Sequence, residues 1–226
     1  MSSYVVLLHG LGRTAHSMSP VAREAKRRGY AVLNLGYPSR TASVADLAEH
    51  VAHSIQRFAP EAPALDFVTH SLGGILLRVA VGAGLIPLDR IRRAVLLAPP
   101  NQGSEAADFM VRVPLLRRVP GVALGELGIG ADGVVARLGR VSFECGVIAG
   151  SRTVNPILSL VIPGPDYGKV AVARATASGV RDFLVVPHSH PFIMRAAGVH
   201  RQIFHFLAHG HFTPAEGCPE SHQQPL

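Results

Sequence analysis

The chain has 226 residues, 48% of them hydrophobic and 16% charged, which suits one domain with a sizeable core and excludes a low-complexity or fibrous protein. A net charge of +7 raises nucleic acid or an anionic membrane surface as partners. The arginines, however, come in ones and twos ("KRR" at 26–28, "RIRR" at 90–93, "LRR" at 116–118) with no interleaved aromatics and no Trp, so the charge reads as solvated surface and no nucleic-acid footprint is expected.

Weak contact with an anionic surface or substrate remains compatible with that balance. Cys145 and Cys218 show neither a disulfide framework nor zinc spacing, which points to a reduced, cytoplasmic setting with no metal. The opening "MSSYVVLLHGLG" holds only a short apolar stretch without a basic leader, so neither a secretory signal nor a membrane span is expected there.

Taken in chain order, short β-branched runs alternate with segments of helical period, the signature of a parallel sheet wrapped by helices. The predicted strands are 4–8, 31–35, 65–69, 93–98, 143–149 and 182–186. Predicted helices cover 17–28, 43–58, 73–83 and 191–208. The second helix carries the clearest stripe, with Val44, Leu47, Val51, Ile55 and Phe58 spaced by three and four. This gives an α/β fold, doubly wound, with about six strands.

Between the fourth and fifth strands, residues 100–140 break the rhythm with Pro100, Pro114, Pro120 and several glycines around "FMVRVPLL". An excursion of that length inside a compact domain is a candidate substrate lid, with Phe109, Met110, Val111, Leu115 and Leu116 either lining an acyl pocket or packing in the core. The polar, Pro-containing end, residues 213–226, reads as a disordered tail beyond a single domain spanning 1–212.

Two half-motifs carry the chemistry. In "FVTHSLGGI", Ser71 stands between a strand and a helix with Gly73 and Gly74 after it. That sharp turn suits a nucleophile, and equally a helix cap; position 69 is Thr69 where G-x-S-x-G would have glycine. Earlier, "LLHGLGR" at 7–13 closes the first strand on a glycine-rich loop whose backbone N–H groups suit an oxyanion hole, Leu11 giving one and Leu72 the other. A phosphate cradle is disfavoured because neither G-x-G-x-x-G nor a P-loop occurs.

A serine nucleophile needs a base. Of 12 histidines, His50 and His53 ride a polar helix face, His200, His205, His209 and His211 lie on or after the final helix, His222 is in the tail, and His70, beside Ser71, is expected to point away from it. His188 and His190, in "VVPHSHPF", sit in the loop between the last strand and helix, where parallel-sheet enzymes place catalysts. His190 is the preferred base. An orienting carboxylate is expected between Ser71 and His190 in sequence; Asp166 in "IPGPDYGKV" is the first candidate, Asp182 the second, and Asp132 precedes the fifth strand.

With these pieces in order the chain resembles the α/β-hydrolase superfamily, in particular small bacterial lipases and esterases with a reduced core sheet. The likeness runs from Tyr4 to about Phe212 through "LLHGLGRT", "VTHSLGGI", "LAPPNQGSE", "GVIAGSRTVNP" and "FLVVPHSHPFIM". It implies a serine ester hydrolase with Ser71 as nucleophile, His190 as base, Leu11 and Leu72 as oxyanion donors, and neither metal nor organic cofactor. Relatives tend to carry Asp-Gly in the acid loop. Here Tyr167 precedes Gly168 and Asp166 stands one place earlier, which leaves Asp166 and Asp182 both open. A thioesterase or acyltransferase with the same triad, and a non-catalytic binding protein on the same fold, are the rival readings.

Overall fold

The computed structural model describes residues 3–103, 122–128, 133–152 and 172–214. Six strands form one sheet: β1 (Tyr4–Leu8), β2 (Ala31–Leu35), β3 (Leu65–His70), β4 (Ile91–Leu97), β5 (Cys145–Arg152) and β6 (Asp182–Ser189). Their order is β2-β1-β3-β4-β5-β6 and every pairing is parallel. The α/β, doubly wound expectation is therefore met. β1 and β2 match their predicted bounds, whereas β4 starts two residues earlier than expected and β6 runs three residues further.

Helices cover both faces. On one lie α1 (Ser19–Arg27) and the last helix, whose Val21, Ala25, Ile203 and Phe206 pack on Val5, Leu7 and Val95. On the other lie α2 (Val44–Phe58) and α3 (Leu72–Gly82), packed on Val6, Leu8, Phe67 and Leu96. Alternate residues of a strand thus serve opposite cores, and buried β1 reads as a continuous apolar run for that reason.

The α2 stripe falls as the spacing requires: Val44, Leu47, Val51 and Ile55 are buried, each contributing about 1.5–3 kcal/mol as a fully buried side chain. Ser43 caps the helix. Its hydroxyl accepts from the Asp46 N–H while the Asp46 carboxylate accepts from the Ser43 N–H. Two short helices follow β4, α4 (Val122–Glu126) and α5 (Val134–Arg137), and the Glu126 carboxylate accepts from the Val44 N–H at 2.7 Å. Most of the apolar stretch proposed as a lid, including Phe109 to Leu116, lies outside the described residues, as do most of the tail and Cys218.

The final helix differs from expectation. Residues 191–208 do not form one helix: a 3-10 segment (His190–Arg195) gives way at extended Ala196 to α6 (Ala197–His209). Pro191 suits a first helical position, and the break turns the histidine loop over the sheet edge before α6 packs down. Among the described residues no helix is long and apolar enough to cross a membrane.

The cations of "RIRR" have structural partners. Arg90 donates to Gln56 and to the Ala59 carbonyl, Arg92 pairs with buried Asp66, and Arg93 binds Glu144 and the Leu207 and Ala208 carbonyls at the end of α6. Cys145 is a buried free thiol, its pKa pushed up by burial to about 12, and is inert as a nucleophile at neutral pH.

Candidate active site

The chain reverses direction across the sheet beside β1: it leaves β1 for β2, then returns to place β3 on β1's other side. Such a switch point opens a crevice at the carboxyl ends of the strands. Leu8 is level with Thr69 across the β1–β3 pair, so the loop after β1 and the turn after β3 emerge side by side.

Ser71 occupies that turn with φ 51° and ψ −119°, a conformation that costs a non-glycine residue on the order of 1–3 kcal/mol and persists only where the surroundings hold it. Two bonds do so: its N–H donates to the Leu97 carbonyl at 2.9 Å and its carbonyl accepts from Gly74 at 3.0 Å. The side chain makes no capping bond to α3. A cap would orient the hydroxyl toward the helix N–H groups, so capping does not explain this serine.

The oxyanion-type loop is braced from below. His9 is fully buried, its ring stacked on Tyr37 at 3.9 Å. Nε2 of His9 accepts from the Tyr37 N–H at 3.3 Å, which leaves Nδ1–H to donate to the Gly10 carbonyl at 2.9 Å. The Tyr37 hydroxyl donates to the His9 carbonyl, and Ser39 Oγ accepts from the Gly12 N–H at 3.0 Å. Burial holds the His9 pKa down, against a smaller upward pull from its bond to Gly10, and holds Tyr37 up, so both are neutral struts. The Leu11 N–H meets no acceptor among the described residues, and Leu72 is the first residue of α3, where a helix offers none. Gly10 must lack a side chain, since a Cβ there would lie 2.8 Å from His70 Nδ1 and 3.2 Å from Ser71 Cβ.

His190 starts the 3-10 segment directly after β6. Its pKa is lowered to about 4, first by lost hydration and second by the Arg13 charge. The residue nevertheless keeps an exposed side, and the direction we adopt is a neutral imidazole at pH 7, the form a general base requires. Among the described residues no hydrogen bond joins it to Ser71 Oγ.

What joins the two elements is His70. This buried imidazole donates from Nε2 to the His190 carbonyl at 3.0 Å, and the two rings lie 5.0 Å apart. Among the described residues its Nδ1 has no partner, and its pKa is held well below the ordinary value, chiefly by burial and next by His190. Read from sequence, His70 had no role. The only signal was its position at the end of a fully buried strand, where a histidine needs a partner. His188 lies within β6.

Asp166 lies outside the described residues. Asp182 is excluded as a partner for His190: it opens β6, while His190 follows the strand's other end, and Oδ1 and Oδ2 accept from the Phe183 and Phe212 N–H groups at 2.8 and 2.6 Å. At about 3.3 Å per residue, the strand separates the two by more than 20 Å. Asp132 is likewise outside the described residues. Asn101 in "LAPPNQGSE" is buried; it accepts from Arg78 at 2.8 Å and donates to the Ala175 carbonyl at 2.7 Å. Arg78 also donates to the Leu138 and Gly139 carbonyls, so this buried cation from α3 is satisfied by neutral oxygens at the roots of two loops.

No protein-family model and no curated protein matches the chain. Solved structures do. The mature form of the Bacillus licheniformis lipase BlEst2 is similar with TM-score 0.65 and 16% identity over 86% of this chain and 87% of that one. Aspergillus fumigatus lipase B gives TM-score 0.65 and 15% identity over 92% of this chain and 53% of its own. A structure described under the metagenome-derived lipolytic enzymes LipS and LipT gives TM-score 0.63 and 16% identity, covering 92% and 94% of the two chains. Identities this low speak to architecture alone. The order of six parallel strands agrees with it: the chain shares the parallel α/β fold of these structures.

Proposed function

We propose that the protein is a serine hydrolase of carboxylic esters. Ser71 Oγ attacks the ester carbonyl as Nε2 of His190 takes its proton. The Leu11 and Leu72 N–H groups bind the oxyanion, the protonated imidazole returns the proton to the leaving alcohol, and water activated by His190 releases the acyl group. The lipolytic enzymes among the structural neighbours support this reading in general terms.

The observation that carries it is the Ser71 backbone. A strained φ of 51° without a capping bond has no structural use in starting a helix, and it is the kind of backbone by which a nucleophile elbow raises its hydroxyl above the sheet. Among the described residues no carboxylate acts on His190. Asp166 is the one acid between β5 and β6 in the sequence, and we assign it the orienting role.

The test is replacement of Ser71 and His190 by Ala, with hydrolysis of short and medium acyl p-nitrophenyl esters and labelling by a fluorophosphonate as readouts. Both activities should vanish in the Ser71 variant. Activity within a few-fold of the parent would sink the assignment. Asp166→Asn is expected to lower kcat by up to about ten-thousand-fold, the cost of losing the orienting acid in a serine protease.

A further inference from the structure

The sequence carries a cation into the site that the hydrolytic steps do not use. Arg13 ends the oxyanion-type loop, and its N–H donates to the Gly10 carbonyl at 3.2 Å. That turn keeps its Cα within about 7 Å of Gly10, whose backbone lies against Ser71. Opposite it, two residues beyond His190, Phe192 is exposed, and the Arg13 and Arg195 guanidinium carbons stand 6.0 and 5.0 Å from its ring centroid. Among the described residues neither arginine has a carboxylate partner, unlike Arg28, Arg92 and Arg93.

We propose that Arg13 and Arg195, held by the Phe192 ring at the mouth of the site, form a subsite for an anionic group of the substrate. The preferred ester then carries a carboxylate or phosphate a few bonds from its scissile carbonyl. This rests on the reading of Ser71 and His190 as a hydrolytic pair.

The electrostatics support a substrate role over a structural one. The Arg13 charge bears on the imidazoles of both His190 and His70 and disfavours their protonation. An unneutralised cation there therefore opposes the imidazolium that forms as Ser71 attacks. A substrate anion on Arg13 removes that penalty, so the anionic preference extends to kcat as well as KM. Both guanidiniums share the Phe192 ring as a neighbour, and a cation resting on an aromatic ring keeps its N–H donors available for an anion.

The test compares methyl hydrogen adipate with methyl hexanoate, and dihexanoyl phosphatidylglycerol with dihexanoyl phosphatidylcholine below micellar concentration, by pH-stat. The anionic member of a pair should have the higher kcat/KM, and the advantage should shrink with added salt. Arg13→Gln should lower the anionic-to-neutral ratio about tenfold, the size of one charge-assisted contact; Arg195→Gln, at the more exposed residue, should lower it less, and Arg13→Lys should restore part of it. A change confined to the adipate pair identifies a carboxylate source, and one confined to the lipid pair a headgroup phosphate left uncompensated by a cation. Ratios that no variant moves, or equal loss on both members, overturn the subsite. If the parent hydrolyses no ester and resists the fluorophosphonate, the hydrolytic reading has failed instead. Calorimetric binding of the adipate ester to the Ser71→Ala protein, with and without Arg13→Gln, then decides the subsite by itself: equal affinity in the two overturns it.

Discussion

Replacing Gly73 by Ala probes how tightly the first turn of α3 is pressed on the end of β1. A Cβ at position 73 would lie 2.7 Å from the Leu8 carbonyl oxygen, 2.8 Å from Leu8 Cβ and 3.0 Å from the His9 carbonyl oxygen. Two of these are backbone atoms at the end of a strand paired on both sides, one in its last residue and one just beyond it, so α3 must retreat. Restoring ordinary carbon–oxygen contact near 3.3 Å means a shift of about 0.6 Å, and overpacking of this kind costs about 1–3 kcal/mol. The same shift parts the Leu72 N–H from the Leu11 N–H and should slow fluorophosphonate labelling of Ser71 by about ten- to hundredfold. Gly82→Ala, at the far end of the same helix with no atom of the described residues within 4 Å of the added carbon, is the control and should gain up to about 1 kcal/mol. Urea denaturation and labelling rates measure both. If Gly73→Ala is as stable and as reactive as Gly82→Ala, the packing account of the elbow is wrong.

Three further outcomes follow from the bonds around the site. Because His190 is held near 4, kcat/KM should stay high well below pH 6.5 and fall only as the imidazole protonates; Arg13→Gln removes one lowering influence and should move that acidic limb to higher pH. His70 is buried neutral with its pKa depressed from 6.5, so the unfolded chain takes up the proton first and stability should decline as pH drops below about 6.5. His70→Gln, which can still donate to the His190 carbonyl, should flatten that decline and keep activity, whereas His70→Ala should lose at least tenfold in kcat with little change in KM; equal kinetics in the two would refute a positioning role. Asp182→Ala should lower stability by about 1–2 kcal/mol through the bonds to Phe183 and Phe212, while the folded fraction labels at the parent rate. A lost reaction in that variant would show that the strand-end assignment misplaces this acid.

Strands β1 and β3 to β5 were legible because they are buried on both faces over most of their length and their apolar runs are short, and the positions of Ser71 and His190 stood out because each directly follows a strand. The braces were not. Tyr37 and Ser39 sit 28 and 27 residues from the His9 and Gly12 groups they hold, and no local period marks a contact of that range. His70 escaped notice for a related reason, since its acceptor at His190 lies 120 residues away. The break at Ala196 separates two segments that are each apolar on one face, so the helical pattern continues across a joint that only the backbone reveals. Asp182 was a candidate because sequence order alone placed it before His190; the direction of β6 removes it.

The turn after β3 has a counterpart beside it. Ala98, directly after β4, has φ 46°, and its N–H donates to the Ile148 carbonyl at 2.8 Å just as the Ser71 N–H donates to Leu97. Two strained residues at neighbouring strand ends are each tied to the next strand along the sheet. Their amides should therefore exchange with solvent deuterium only when the sheet itself opens, although both lie at the rim where substrate arrives. The proposed nucleophile would then be mounted on the slowest-exchanging part of the molecule, and any adjustment to a substrate must come from the loops around it.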